Sequence, residues 1–159
     1  MSFQVRDAVR GDGEAILALM PRLAAFEVPD SRNPHDLWRS DAAMFQRWLD
    51  GEAPQCFVQV AANESKEIIG FTLVSLRPEL LSHEPSAHLE AIAVSDKAEG
   101  MGVGQALLAA AEAEARSKGA KSMTLHVFAV NSRARGFYEK SGYDGELIRY
   151  TKALSDQPA

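Results

Sequence analysis

A chain of 159 residues with 46% apolar and 25% charged side chains is long enough to bury a core, and one domain accounts for it. Its formal charge of -5 argues against nonspecific binding to nucleic acid, and its single cysteine, Cys56, excludes an internal disulfide or a Cys-rich zinc site. No apolar run approaches the ~20 residues of a membrane span and the first residues lack the apolar core of a signal peptide, so a cytoplasmic protein that engages neither membrane nor nucleic acid is expected.

Phe3 and Val5 alternate with polar neighbours and predict a first strand over 3–9. Asp12 is the expected N-cap of a helix that places Ile16, Leu19, Met20, Leu23 and Phe26 on one face, and Pro21 predicts a break near Met20. The turn-rich stretch 27–35 reads as a loop, and Ser40 or Asp41 is expected to cap a second helix carrying Met44, Phe45, Trp48 and Leu49, stopped by Gly51. This region is where substrate recognition is expected. Residues 55–62 and 67–76 read as two strands joined by a hairpin loop at 63–66, with Gly70 marking a bulge and Cys56 a packed core thiol. Residues 77–86 break the pattern and read as a surface loop.

Leu89 to Val94 then reads as a buried central strand. It runs into Glu99-Gly100-Met101-Gly102-Val103-Gly104-Gln105, a glycine-rich turn opening a helix. Glycines at alternate positions leave the backbone bare where N–H groups lack intrahelical partners and the helix dipole favours an anion; the same glycines would also let helix and strand pack closely. A Walker loop is excluded because no Lys follows Gly104, and a dinucleotide fingerprint because Gln105 stands where Gly or Ala is required.

The helix that follows carries Val103, Leu107, Ala110 and Ala113 as an apolar stripe and ends at Gly119. Residues 121–128 alternate as a strand, 131–140 form a short helix stopped by Gly142, and 145–154 predict a last strand before a loose tail at 155–159. Strand, helix and strand in succession after Leu89 imply a parallel pair added to an antiparallel front half. The expected fold is α/β: a mixed, mostly antiparallel central sheet with one parallel pair, flanked by about four helices in a single domain over 1–154.

The glycine turn resembles the acetyl-CoA loop of the GCN5-related N-acetyltransferases, whose pattern is Arg/Gln-x-x-Gly-x-Gly/Ala after a strand. Thirty residues on, Asn131-Ser132-Arg133-Ala134-Arg135-Gly136-Phe137-Tyr138-Glu139-Lys140-Ser141-Gly142-Tyr143 resembles the same family's Asn-x-x-Ala-x-x-Phe-Tyr-x-x-x-Gly-Phe/Tyr, with every marked position filled. One departure stands out: Glu99 occupies the place of the usual Arg or Gln.

The resemblance implies a parallel pair splayed near Val94 and Phe128 to admit the acetyl-CoA arm, and acetyl transfer from acetyl-CoA to a primary amine of a small molecule or peptide by direct attack in a ternary complex; no spacing of the four histidines with carboxylates suggests a metal site. Gly100, Met101, Gly102, Val103, Gly104 and Gln105 would hold the pyrophosphate, the backbone of Ile92, Ala93 and Val94 would pair with the pantetheine arm, and Asn131 would face it. Tyr138 fills the position of the general acid, and Glu90, with His88 on the same side of the strand, is the expected base. Acidic residues in the loops, Glu27, Asp30, Asp36, Glu79 and Glu84, hint at a cationic acceptor. A noncatalytic acyl-CoA-binding module is the alternative, and a homodimer that completes a sheet edge is also expected.

Overall fold

The computed structural model describes residues 2–154; the expected loose tail at 155–159 lies outside them. A five-stranded sheet runs in sequence order, β1 (Phe3–Asp7), β2 (Cys56–Asn63), β3 (Ile68–Pro78), β4 (Pro85–Val94) and β5 (Met123–Leu125). All neighbours are antiparallel except β4 and β5, which are parallel. Four α-helices flank it: α1 (Gly13–Leu19), α2 (Arg39–Leu49), α3 (Val103–Ser117) and α4 (Ser132–Lys140). No helix among the described residues is long and apolar enough to cross a membrane.

The two faces of the sheet bury different helices. Ile16, Met20 and Phe45 from α1, its continuation and α2 pack on Val58, Val60, Phe71, Leu73, Ala91 and Ala93. On the other face Leu108, Ala111 and Ala115 of α3 meet Val74, Ala87 and Leu89, with Phe137 and Tyr138 of α4 beside them. The buried side of α3 is Val103, Leu107, Leu108, Ala111 and Ala115, so the stripe turns away from the expected Ala113, which is exposed. Burial of Cys56 in the first of these clusters raises its thiol pKa and makes it a core side chain.

Several expectations are corrected by local geometry. Asp12 stands at the N-cap position of α1, as expected, but its side chain makes no capping hydrogen bond there. Its carboxylate accepts from Val9 N–H at 2.8 Å and from both Arg6 terminal nitrogens at 2.8 and 3.0 Å, closing the 3-10 turn Arg10–Asp12. The Arg6 hydrogen bonds hold that carboxyl below its ordinary pKa range. The first helix does break at Pro21, continuing as the 3-10 segment Met20–Ala24. The second starts at Arg39, so neither Ser40 nor Asp41 caps it, and Asp41 lies in its first turn.

The expected bulge lies directly beside Gly70. The register of β2 and β3 slips so that Ile69 is the extra residue, and Gly70 serves close packing: a Cβ there would lie 2.9 Å from Leu107 Cδ1 and 3.1 Å from the Ala93 carbonyl oxygen. The expected strand over 121–128 pairs only at Met123–Leu125. The expected strand over 145–154 does not form. Every residue from 144 to 154 is exposed, including Leu147, Ile148, Tyr150 and Leu154, and among the described residues β5 is an edge strand paired with β4 alone.

Candidate active site

The parallel pairing of β4 with β5 matches Ala87 to Met123, His88 to Thr124 and Leu89 to Leu125, then stops, while β4 continues to Val94. The last residues of β4 therefore have β3 on one edge and a gap on the other. Ser95 N–H donates to Ile69 O of β3 at 2.8 Å. The Val94 carbonyl belongs to the same trans peptide group, whose C=O and N–H point in opposite directions, so it faces away from β3, into the gap.

The glycine turn lies beyond the mouth of this gap. Gly100 and Gly102 have φ of +78° and +81°, and a Cβ at either would meet no atom within 4 Å. Gly102 caps α3 without a side-chain hydrogen bond, which leaves the N–H groups of Val103, Gly104 and Gln105 at the positive end of a fifteen-residue helix without intrahelical partners. A bare, left-handed backbone under open space fits a diphosphate. Gly104 differs, because a Cβ there would sit 3.6 Å from Phe137 and 3.8 Å from Val94 Cγ2. A Cβ at Gly104 would thus touch its neighbours at ordinary contact distance, whereas Gly100 and Gly102 leave open space. The departure at Glu99 is offset by Arg22, which donates to its carboxylate, and by Arg133, whose Nη1 stands 3.5 Å from Glu99 Oε2.

A polar cluster occupies the α1 and α2 face of the sheet. The register of β3 and β4 passes from Leu73↔Ala91 to Val74↔Leu89, so Glu90 is the unpaired residue of a β-bulge. It accepts from Ser75 Oγ at 2.5 Å, and Arg77 Nη2 lies 3.8 Å away. His88, buried, shares a 2.8 Å hydrogen bond between Nδ1 and Thr124 Oγ1, and its ring centroid is 4.8 Å from that of His126. Burial first, then the Arg77 charge, lowers the His88 pKa to about 4, so the ring is neutral at pH 7. Asp41 of α2 is half-buried. Desolvation, then repulsion from the Glu90 carboxylate, pushes it up to about 7.

Tyr138 lies on the α3 face, half-buried, its ring edge-on to Phe137 at 5.3 Å and Tyr143 at 5.9 Å. Burial raises its phenol to about 12, which keeps the proton on at neutral pH. Asn131 caps α4, its Oδ1 accepting from Ala134 N–H at 3.2 Å.

A model of the acetyltransferase (GNAT) family matches residues 20–143, a span that holds the gap, the glycine turn and α4. The chain belongs to the GNAT family. Mycothiol acetyltransferase of Paenarthrobacter aurescens is 28% identical to this GNAT chain over 147 residues, which cover 86% of this chain and 44% of that protein. The chain thus spans less than half the length of that relative. The uncharacterized N-acetyltransferase YhfO of Bacillus subtilis is 31% identical over 140 residues, 88% of this chain and 89% of its own. Among solved structures, one from Pyrococcus furiosus superposes with a TM-score of 0.79 at 25% identity, covering 96% of this chain and all (100%) of that one. An aminoglycoside antibiotic 6'-N-acetyltransferase from Acinetobacter baumannii shares the fold, with a TM-score of 0.72 at 14% identity and coverage of 97% and 100%.

Glu90 and His88 share one face of this GNAT sheet, whereas Tyr138 belongs to the other, with the gap between β4 and β5 separating them. Ile92, Ala93 and Val94 form the gap edge of β4, and Met101 packs at the foot of the turn. Asp41, Ser75, Arg22 and Arg133 were not foreseen. Asp41 reads in sequence as a helix cap, and no local pattern signals that α2 brings it to Glu90. Three of the five loop acids have partners: Glu84 pairs with Lys121, Asp36 with Arg39, and Glu79 accepts from Leu81 and Ser82 N–H.

Proposed function

We propose that residues 1–154 form a single acetyl-CoA-dependent N-acetyltransferase domain that acetylates a primary amine in a ternary complex. The observation that carries this reading is the open edge of β4 leading to a bare glycine turn, with a protonated phenol on one side and two carboxylates on the other. Acetyl-CoA supplies an activated acyl thioester. Gly100, Met101, Gly102, Val103, Gly104 and Gln105 hold its phosphates through backbone N–H groups, Ile92, Ala93 and Val94 offer peptide groups to the arm, and Asn131 faces it from α4.

An alkylammonium has a pKa near ~10 and cannot attack until it loses a proton. Glu90 and Asp41 receive that ammonium, and Glu90 is assigned the base, with Asp41 placing a second proton acceptor beside it near neutral pH. A backbone N–H near Ala93 or Val94 stabilises the charge that develops on the thioester oxygen. As the new C–N bond forms and C–S breaks, Tyr138 gives its phenolic proton to the departing thiolate and recovers one from solvent. Two carboxylates beside the entry path favour a cationic small molecule, an amino sugar, polyamine or amino-acid derivative, over a peptide.

The exposed segment 144–154 and the edge of β5, unpaired among the described residues, support a homodimer in which each copy lays this segment along the other's β5. Release of CoA thiol from acetyl-CoA across a panel of amines, amino acids, aminoglycosides and peptides tests the activity. Amine-dependent release establishes the transferase; saturable CoA binding with no release from any amine favours the binding-module alternative.

A further inference from the structure

Arg22 sits one residue after Pro21, and its guanidinium reaches two groups at the mouth of the gap. Nε donates to the Val94 carbonyl at 3.1 Å, the group that points into the gap, and Nη2 donates to Glu99 Oε1. Arg133, in the first turn of α4 on the far wall, stands 3.5 Å from the other Glu99 oxygen. Glu99 is thus gripped from both walls, immediately before the turn whose bare backbone fits a diphosphate. Neither arginine pairs with another acid among the described residues.

We propose that Glu99 is an internal surrogate for the ligand's phosphates, holding Arg22 and Arg133 across the groove until a diphosphate takes both arginines and turns the carboxylate out to solvent. The inference rests on the gap being the acyl-CoA groove. Guanidinium groups pair with carboxylate and phosphate through the same forked donors, and the phosphate, with more charge, wins once it also collects the N–H groups of the turn. Glu99 is 37% exposed and Arg133 77%, so the exchange is cheap in desolvation. Release of Arg22 has a second effect: it uncovers the Val94 carbonyl as an acceptor for an amide of the ligand's arm. Phosphate capture and arm binding are coupled through one side chain.

Calorimetric titration with CoA, and separately with acetylpantetheine, which carries no phosphate, tests this in the full chain. Glu99→Gln binds CoA about threefold to tenfold tighter than wild type at low salt, and the gain shrinks in 0.5 M salt. Arg133→Ala binds CoA weaker by about the same factor while its affinity for acetylpantetheine is unchanged. Glu52→Gln, which removes the same charge from an exposed turn, reproduces neither effect. The proposal is overturned if Glu99→Gln binds CoA no tighter than wild type, or if Glu52→Gln gives the same gain. Wild-type binding without a response to Glu99→Gln removes the surrogate and leaves the groove; no binding by either protein removes both.

Discussion

Ser75 Oγ donates a 2.5 Å hydrogen bond to Glu90 Oε2, tying the middle of the sheet to the one residue of β4 that has no partner across the ladder. The bulge sets Glu90 on the face that carries α2, and the hydroxyl fixes the direction of its carboxylate. Ser75→Ala is expected to lower kcat about threefold to tenfold, because the carboxylate loses the donor that orients it. Glu90→Gln lowers kcat by about a hundredfold or more if Glu90 takes the proton. Unchanged turnover in both variants would reduce the pair to a sheet contact.

Tyr138→Phe keeps the ring in its contacts with Phe137 and Tyr143 and removes only the proton. Turnover is expected to fall about tenfold to a hundredfold, with CoA affinity by calorimetry within twofold of wild type. Equal turnover in the two proteins would take the acid role from Tyr138.

Asp41 carries opposite expectations for activity and stability. Its carboxyl titrates at about 7 in the folded chain against 3.8 when free, so the native state holds the proton that the unfolded state has lost. Stability therefore falls as pH rises from about 4 to about 7 and levels off above. Asp41→Asn should recover on the order of 1 kcal/mol at pH 8, a gain of about 2–4 °C in Tm, and nothing at pH 3.5. The same change should lower kcat/KM for a cationic amine. A Tm difference that does not vary with pH would contradict the raised pKa.

Gly102 holds φ of +81° under open space, so a side chain there both strains the backbone and fills the room above the turn. Gly102→Val is expected to weaken CoA binding more than tenfold and to cost about 1–2 kcal/mol of stability. Gly104→Ala is the contrasting case. Its Cβ makes ordinary contact with Phe137, and binding by calorimetry should change little.

Removal of residues 145–159 tests the dimer. Light scattering is expected to give twice the chain mass for the full chain and the chain mass for the shortened one. A monomeric full chain at working concentration would exclude the exchange of segments.

Periodicity in the sequence determined the order of elements because each half-buried element must repeat its apolar residues with its own period: Phe3 and Val5 for β1, Ile16 and Met20 for the first helix, Leu107 and Ala111 for α3. The glycine turn and Asn131 were legible for a related reason. Left-handed backbone and helix caps are local demands that one or two residue types meet. Tertiary structure alone decided the rest. The bulge at Glu90 follows from the register of β3, Asp41 becomes a raised carboxyl only because α2 lays it beside Glu90, and Glu99 is neutralised by arginines 77 residues before it and, in α4, beyond β5. Segment 145–154 has the pattern of a strand without becoming one here, because a strand exists only when another edge receives its hydrogen bonds.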